Sequence, residues 1–117
     1  MYPNVLLFID GQWGPSTAGR TLPVVNPSSG AQIGTVAHAE KADLDRALEA
    51  ADKGFKKWRR VSAFDRYKIM RKAADILRER ADAIAPLMTM EQGKPIPEAR
   101  AEVMAGADII DWFAEEP

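Results

Sequence analysis

The stretch Glu91-Gln92-Gly93-Lys94-Pro95-Ile96-Pro97-Glu98 decides how the second half of this chain folds. Gly93 has the place of a helix C′ residue, where a left-handed backbone closes the last turn. Pro95 cannot extend that helix. Pro97 suits the first turn of the next one, where its missing N–H is of no consequence, and Glu98 beside it complements the positive end of the helix dipole. The stretch therefore reads as helix stop, corner and helix start.

Working backwards, Asp82 is the expected N-cap of the helix that Gly93 ends, which places Pro86 close to a helix start. Ser62 followed by Asp65 has the spacing of a capping box and opens an earlier helix, with Ile69, Met70, Ala73, Ile76 and Leu77 on one side. Before it, Leu44, Ala47, Leu48, Ala51, Phe55 and Trp58 recur at helical spacing, and Asp43 falls in that helix's first turn. Working forwards, Val103, Ala107, Ile110 and Phe113 or Ala114 give the last helix its apolar stripe. Toward the N-terminus the period changes. Val5 to Ile9 is a short apolar run, and Asp10-Gly11 before Gln12-Trp13 is a two-residue hairpin signal, because both turn positions want positive φ. Leu22 to Asn26, a turn at Pro27-Ser28-Ser29-Gly30, and Gln32 to Ala37 make a second hairpin. The fold class is α+β: two small hairpins followed by about four helices, with no βαβ alternation for a parallel sheet.

The composition bounds the function. The chain of 117 residues is 46% hydrophobic and 28% charged, which suits an ordinary globular chain. Its 16 basic and 17 acidic residues balance to a net charge of −1, leaving no electrostatic reason to bind nucleic acid or an anionic membrane. It has no cysteine, so a disulfide, a thiolate metal site or a Cys nucleophile within this chain is excluded. No apolar run approaches a membrane span, and the N-terminus lacks a signal-peptide pattern, so a cytoplasmic location is expected.

Few residues invite a chemical reading. Gly93-Lys94 is not a phosphate loop: Pro95 follows the lysine, Met88 stands where the first glycine should be, and the lysine comes after a helix rather than opening one. No glycine-rich dinucleotide fingerprint is present. His38 is the sole histidine and cannot by itself form a triad or a metal cluster; a solvated side chain near a turn is expected. Lys53, Lys56, Lys57, Arg59 and Arg60 around Trp58 read as the solvated face of a helix, since Trp58 lies on the apolar stripe. Glu98, Glu102, Glu115 and Glu116 read as surface or ion-paired carboxylates, and Met88, Met90 and Met104 as gap-filling core.

Taken in order, several blocks resemble the NAD(P)-dependent aldehyde dehydrogenases. Phe8-Ile9-Asp10-Gly11-Gln12-Trp13 looks like that family's opening hairpin, and Val24-Val25-Asn26-Pro27-Ser28-Ser29-Gly30 like its second. Ala47, Ala50, Ala51, Phe55 and Trp58 match its first long helix, and Arg66, Ala73-Ala74 and Leu77 its second. Met90-Glu91-Gln92-Gly93-Lys94-Pro95, Glu98-Ala99-Arg100, Glu102-Val103 and Trp112-Phe113-Ala114-Glu115-Glu116 complete the series, the last two blocks looking closest to the succinate-semialdehyde dehydrogenase branch.

The resemblance implies that residues 1–117 are the N-terminal segment of such an enzyme, an incomplete domain without the family's Rossmann-like sheet. It implies oxidation of a small aldehyde, a semialdehyde in the nearest branch, to a carboxylic acid with NAD or NADP: a thiolate attacks the aldehyde, hydride passes to the nicotinamide, and an activated water releases the acid. The catalytic and cofactor-binding residues of that chemistry belong to later parts of the family pattern. This chain alone is therefore expected to be truncated, inactive and without bound cofactor. A homo-oligomer is expected. Two sets of residues carry over by position. The carbonyls of Val24 and Val25 with the Glu91 carboxylate would hold a monovalent cation, all-oxygen ligation suiting a hard ion; local capping or ion pairing of Glu91 is the other reading. Ala101 and Ala105 would flank the substrate tunnel; alanines packed in the core are the other reading. A different function class stays open, a non-catalytic helical interaction or regulatory module derived from a truncated dehydrogenase. Such a module should cover its own apolar faces.

Overall fold

A computed structural model describes residues 2–116. The order is β1 (Leu7–Ile9), β2 (Gln12–Gly14), β3 (Thr21–Val25), β4 (Gln32–Ala37), α1 (Lys41–Trp58), α2 (Ala63–Glu79), α3 (Ala81–Gln92) and α4 (Ile96–Glu115). Two separate two-stranded antiparallel sheets precede the helices, which bears out the α+β reading. The chain divides at Arg60/Val61 into two compact units, the hairpins with α1 and the three-helix remainder.

In the first unit the turn chemistry is as the dipeptide dictates. Asp10 has φ 52° and Gly11 φ 76°, both left-handed, a pairing whose twist matches the flanking strands. The register places Phe8 opposite Trp13, and their rings meet at 4.8 Å between centroids, a cross-strand aromatic pair that reinforces a very short ladder. In the second hairpin Asn26 organises the turn. Its Oδ1 accepts the Ser28 N–H at 2.9 Å and its carbonyl accepts the Gly30 N–H at 2.8 Å. Val24 pairs with Gly34 but Val25 with Gln32, so Ile33 is the additional residue of a β-bulge at Val24/Val25.

The second unit is organised around α4, which packs against both α2 and α3. Its buried line is Ala99, Val103, Ala107 and Ala114, facing Ala74 of α2 and Ala81 and Ala85 of α3 in an alanine-rich core. Small side chains let the helix axes approach closely, so this core is thin. Ala114, rather than Phe113, completes the stripe; Phe113 is exposed. On α2 the expected face is rotated. Ala74 is buried and Met70 and Leu77 half-buried, while Ile69 and Ala73 face out. The apolar periodicity there was broad enough to fit either of two neighbouring faces.

Caps fix the helix ends. Ser62 is the N-cap of α2 with extended backbone, and its Oγ accepts the Asp65 N–H at 3.1 Å while donating to Asp65 Oδ2 at 2.7 Å. Gly93 closes α3 with φ 81°, and Pro97 and Glu98 lie in the first turn of α4. The expected Asp82 cap is two residues too late: Arg80 ends α2 and caps α3, so Asp82 lies inside the first turn, where Arg100 of α4 pairs with it at 2.8 Å. Pro86 consequently sits within α3 rather than at its start. Pro117 lies outside the described residues.

Ser62→Ala is expected to lower stability by about 1 kcal/mol, the usual loss when a hydroxyl cap is removed. Gly93→Val is expected to lower it by about 1 kcal/mol or more, because a β-branched residue is strained at positive φ. Urea denaturation of each variant checks both; unchanged midpoints would show that neither residue terminates a helix as described.

Candidate functional site

The most strongly organised polar centre is one that the periodicity of α1 conceals. Asp43 has no exposed surface, and it is the largest fully buried side chain among the described residues. It lies in the first turn of α1, where Glu40 is the N-cap. Asp43 Oδ1 accepts the Thr17 N–H at 3.0 Å, the Thr17 hydroxyl at 2.6 Å and an Arg46 guanidinium N–H at 2.9 Å. Oδ2 accepts the Glu40 N–H at 3.0 Å. The Thr17 hydroxyl and the Glu40 amide hold the carboxyl far below the usual carboxylate range, overcoming the opposing effect of burial. A place in the first turn, where an acid complements the helix dipole, thus understates Asp43: it pins the loop between the hairpins to the helix start. Glu40-x-x-Asp43 is a capping-box spacing with acids in both places, the signal that could have found it.

Around this centre the loop is built inward. Ser16 is buried and its hydroxyl donates to the Arg20 carbonyl at 3.1 Å. The same carbonyl accepts the His38 N–H at 2.9 Å. His38 is half-buried and its Nδ1 is shielded from solvent without a hydrogen-bond partner, which corrects the expectation of a solvated side chain: β4 leads the residue back under the Gly14–Arg20 loop. A shallow groove between the first hairpin and α1 is lined by Ile9, Gln12, Arg46, Glu49 and Lys53, and Glu49 and Lys53 pair across one turn at 2.7 Å.

The residues singled out in the sequence fall as follows. Val24 is half-buried and Val25 exposed on β3, at the bulge. Glu91 is exposed in the last turn of α3. The bulge belongs to the first unit and Glu91 to the second. Among the described residues, no group of three or more His, Asp or Glu side chains is placed to hold a metal ion. Ala101 and Ala105 are both exposed, on the side of α4 opposite its buried line; neither packs in the core formed by the described residues, because α4 spends its inner face on residues 99, 103, 107 and 114. Lys94 pairs with Glu102 at the corner, the ion-paired form of the reading given for Glu102. Arg78 of α2 reaches Asp111 of α4 at 2.6 Å and Asp108 at 2.7 Å.

Apolar exposure is the other feature. Leu44, Leu48 and Phe55 on α1 are 57, 70 and 60% exposed, and Ile109, Trp112 and Phe113 on α4 are 57, 69 and 60% exposed. Large side chains lie outside while the buried ones are mostly small, an inversion of what a self-sufficient core shows. The α1 stripe is thus an amphipathic face without cover among the described residues.

This arrangement of two hairpins, a long exposed helix and an alanine-cored helical trio has close counterparts. Residues 13–117 match the family model described as the aldehyde dehydrogenase family, and the chain belongs to that family. Glutarate-semialdehyde dehydrogenase of Pseudomonas putida is 43% identical over 109 residues, which are 93% of this chain and 23% of that protein. The crystal structure of succinate-semialdehyde dehydrogenase from Burkholderia pseudomallei superposes with a TM-score of 0.92 at 36% identity, over 97% of this chain and 23% of the other. That of NADP-dependent glyceraldehyde-3-phosphate dehydrogenase from Bacillus halodurans C-125, complexed with NADP, gives 0.93 at 29% identity, over 97% and 24%. The chain therefore spans about a quarter of the length of the relatives it matches, and it has the fold of their corresponding part.

Proposed function

We propose that this chain provides the N-terminal structural segment of an NAD(P)-dependent aldehyde dehydrogenase that oxidises a small aldehyde, of the semialdehyde class, to its carboxylic acid. The observation that carries the reading is the family match over residues 13–117, joined to 43% identity with an enzyme named for glutarate semialdehyde. Within that enzyme the residues described here bear no step of the chemistry. The chain has no cysteine to supply a thiolate nucleophile. Its work is to present surfaces: the outer side of α4 with Ala101 and Ala105, whose small side chains leave room beside a substrate tunnel, and the apolar side of α1. The uncovered faces support this segment reading over a free-standing regulatory module, since a module would bury Leu48 and Trp112. They also support assembly into a homo-oligomer. A cytoplasmic location belongs to the same reading, supported by the cysteine-free composition; no helix is long and apolar enough to cross a membrane among the described residues.

The experiment is a turnover assay on the purified chain. No aldehyde-dependent reduction of NAD⁺ or NADP⁺ is expected. Turnover that persists after host dehydrogenases are removed would overturn the assignment of catalysis to other parts of the enzyme.

For the monovalent cation, we infer that Val24, Val25 and Glu91 contribute ligands in the assembled enzyme. Support comes from the bulge, which interrupts the ladder at the two carbonyl residues, and from the oxygen-only donor set. The expected result, in an enzyme carrying this segment, is a higher melting temperature in K⁺ or Na⁺ than in choline, lost in Glu91→Gln. Equal dependence in both proteins would exclude Glu91 as a ligand.

A further inference from the structure

We propose that residues 2–5 form a strap that keeps the outer edge of β4 from pairing with a second copy of this chain. One edge of β4 is taken by β3. On the other, Val5 forms a single parallel bridge to Val36. The Val5 N–H donates to the Thr35 carbonyl at 2.7 Å, and the Ala37 N–H donates to the Val5 carbonyl at 2.8 Å. Asn4 Oδ1 accepts the Thr35 N–H at 3.2 Å. Thr35 therefore turns both of its backbone polar groups to the outer edge. Across the ladder its partner is Pro23, which has no N–H to offer.

The strap is anchored by Tyr2, which is only 8% exposed. Its ring lies on Gly34: a Cβ there would stand 2.7 Å from Tyr2 Cδ1 and 3.3 Å from the Pro3 carbonyl oxygen. Gly34 thus leaves β4 bare enough at this position to seat the ring. The guarded strand has the composition that needs guarding. Gln32-Ile33-Gly34-Thr35-Val36-Ala37 carries no charge and no proline, so nothing in its own side chains discourages edge-to-edge pairing. With the strap lifted, the self-complementary partner is the same edge of another copy, antiparallel about a two-fold axis near Thr35.

A cysteine-free chain makes the test clean. Thr35→Cys introduces a single thiol beside the proposed axis. Disulfide dimer formed under mild oxidation is measured in that background for the intact chain, for the chain lacking residues 2–5, and for Tyr2→Gly, which keeps the strap backbone and removes only its anchor. Circular dichroism monitors the fold of each. The expected result is about tenfold more dimer without the strap than with it, and an intermediate amount for Tyr2→Gly, a ratio of the size that about 1.4 kcal/mol of protection produces. Equal dimer in all three proteins overturns the proposal. So does a folded Tyr2→Gly protein that forms no more dimer than the intact chain.

Discussion

Asp43→Ala is expected to lower the thermal midpoint of this chain by on the order of 10 °C, the largest effect of any single substitution in the first unit. The substitution removes one side chain but strands several groups. The amides of Thr17 and Glu40, the Thr17 hydroxyl and the Arg46 guanidinium all lose their acceptor. These hydrogen bonds are part-buried, so donors left without an acceptor there are more destabilising than the simple loss of a bond, and a loop tied to a helix start by one residue loosens when that residue goes. Asp43→Asn separates shape from charge. It fills the same space but turns an NH₂ group toward donors, so it is expected to fall between the parent and Asp43→Ala.

The same carboxylate sets a pH dependence with a defined sign. Its folded-state pKa is depressed, first by the Thr17 hydroxyl and next by the Glu40 amide. A depressed carboxylate contributes its full stabilisation above the unfolded-state value of about 4 and loses it as the pH falls toward the folded-state value. Melting by circular dichroism at pH 7 and pH 3 should show the gap between the parent and Asp43→Asn narrowing in acid. Hydrogen exchange at the Thr17 amide gives the local readout, fast in Asp43→Ala and slow in the parent. A parent and Asp43→Ala with equal midpoints and equal Thr17 exchange would remove Asp43 from the role assigned to it.

How much of this was legible in the residues follows from physical range. Turns and caps act within a few residues, and they read well: Asp10-Gly11, Asn26 to Gly30, Ser62 with Asp65, and Gly93 all stand where local chemistry put them. Asp82 failed for a specific reason. Arg80 adopts a backbone conformation that ends one helix and starts the next without a loop, and no side-chain pattern announces such a direct junction. The burial of helix faces read less well. On α1 the stripe from Leu44 to Phe55 is regular, yet it faces out, because periodicity shows which side of a helix is apolar and says nothing of what covers it. On α2 an alanine, Ala74, takes the innermost place, and a hydrophobicity pattern ranks it below Ile69. Asp43 was hidden for the opposite reason: a charged side chain in a first turn satisfies the dipole rule, and the acid-acid capping-box spacing of Glu40 and Asp43, its one local trace, does not show the long-range contact with Thr17. Of the candidate site, the residues reveal the corner at Glu91 to Pro97 and the second hairpin, but the proposed cation ligands Val24, Val25 and Glu91 lie so far apart in sequence that they have no spacing to read.

This chain is expected to serve as a working N-terminal segment of an aldehyde dehydrogenase. The most direct measurement replaces the matching segment of Pseudomonas putida glutarate-semialdehyde dehydrogenase with these residues. The exchange is asked to succeed with 43% identity across the segment. On the proposed reading every group that touches the reacting atoms comes from the host enzyme, and this chain supplies the packing faces of α1 and α4, the tunnel flank at Ala101 and Ala105, and the cation ligands. Reduction of NAD⁺ or NADP⁺ with glutarate semialdehyde is expected to survive, with kcat within about tenfold of the host, a barrier change of about 1.4 kcal/mol. A host lacking the segment altogether should be inactive. A folded hybrid that still binds the nicotinamide cofactor but shows no turnover would contradict the account.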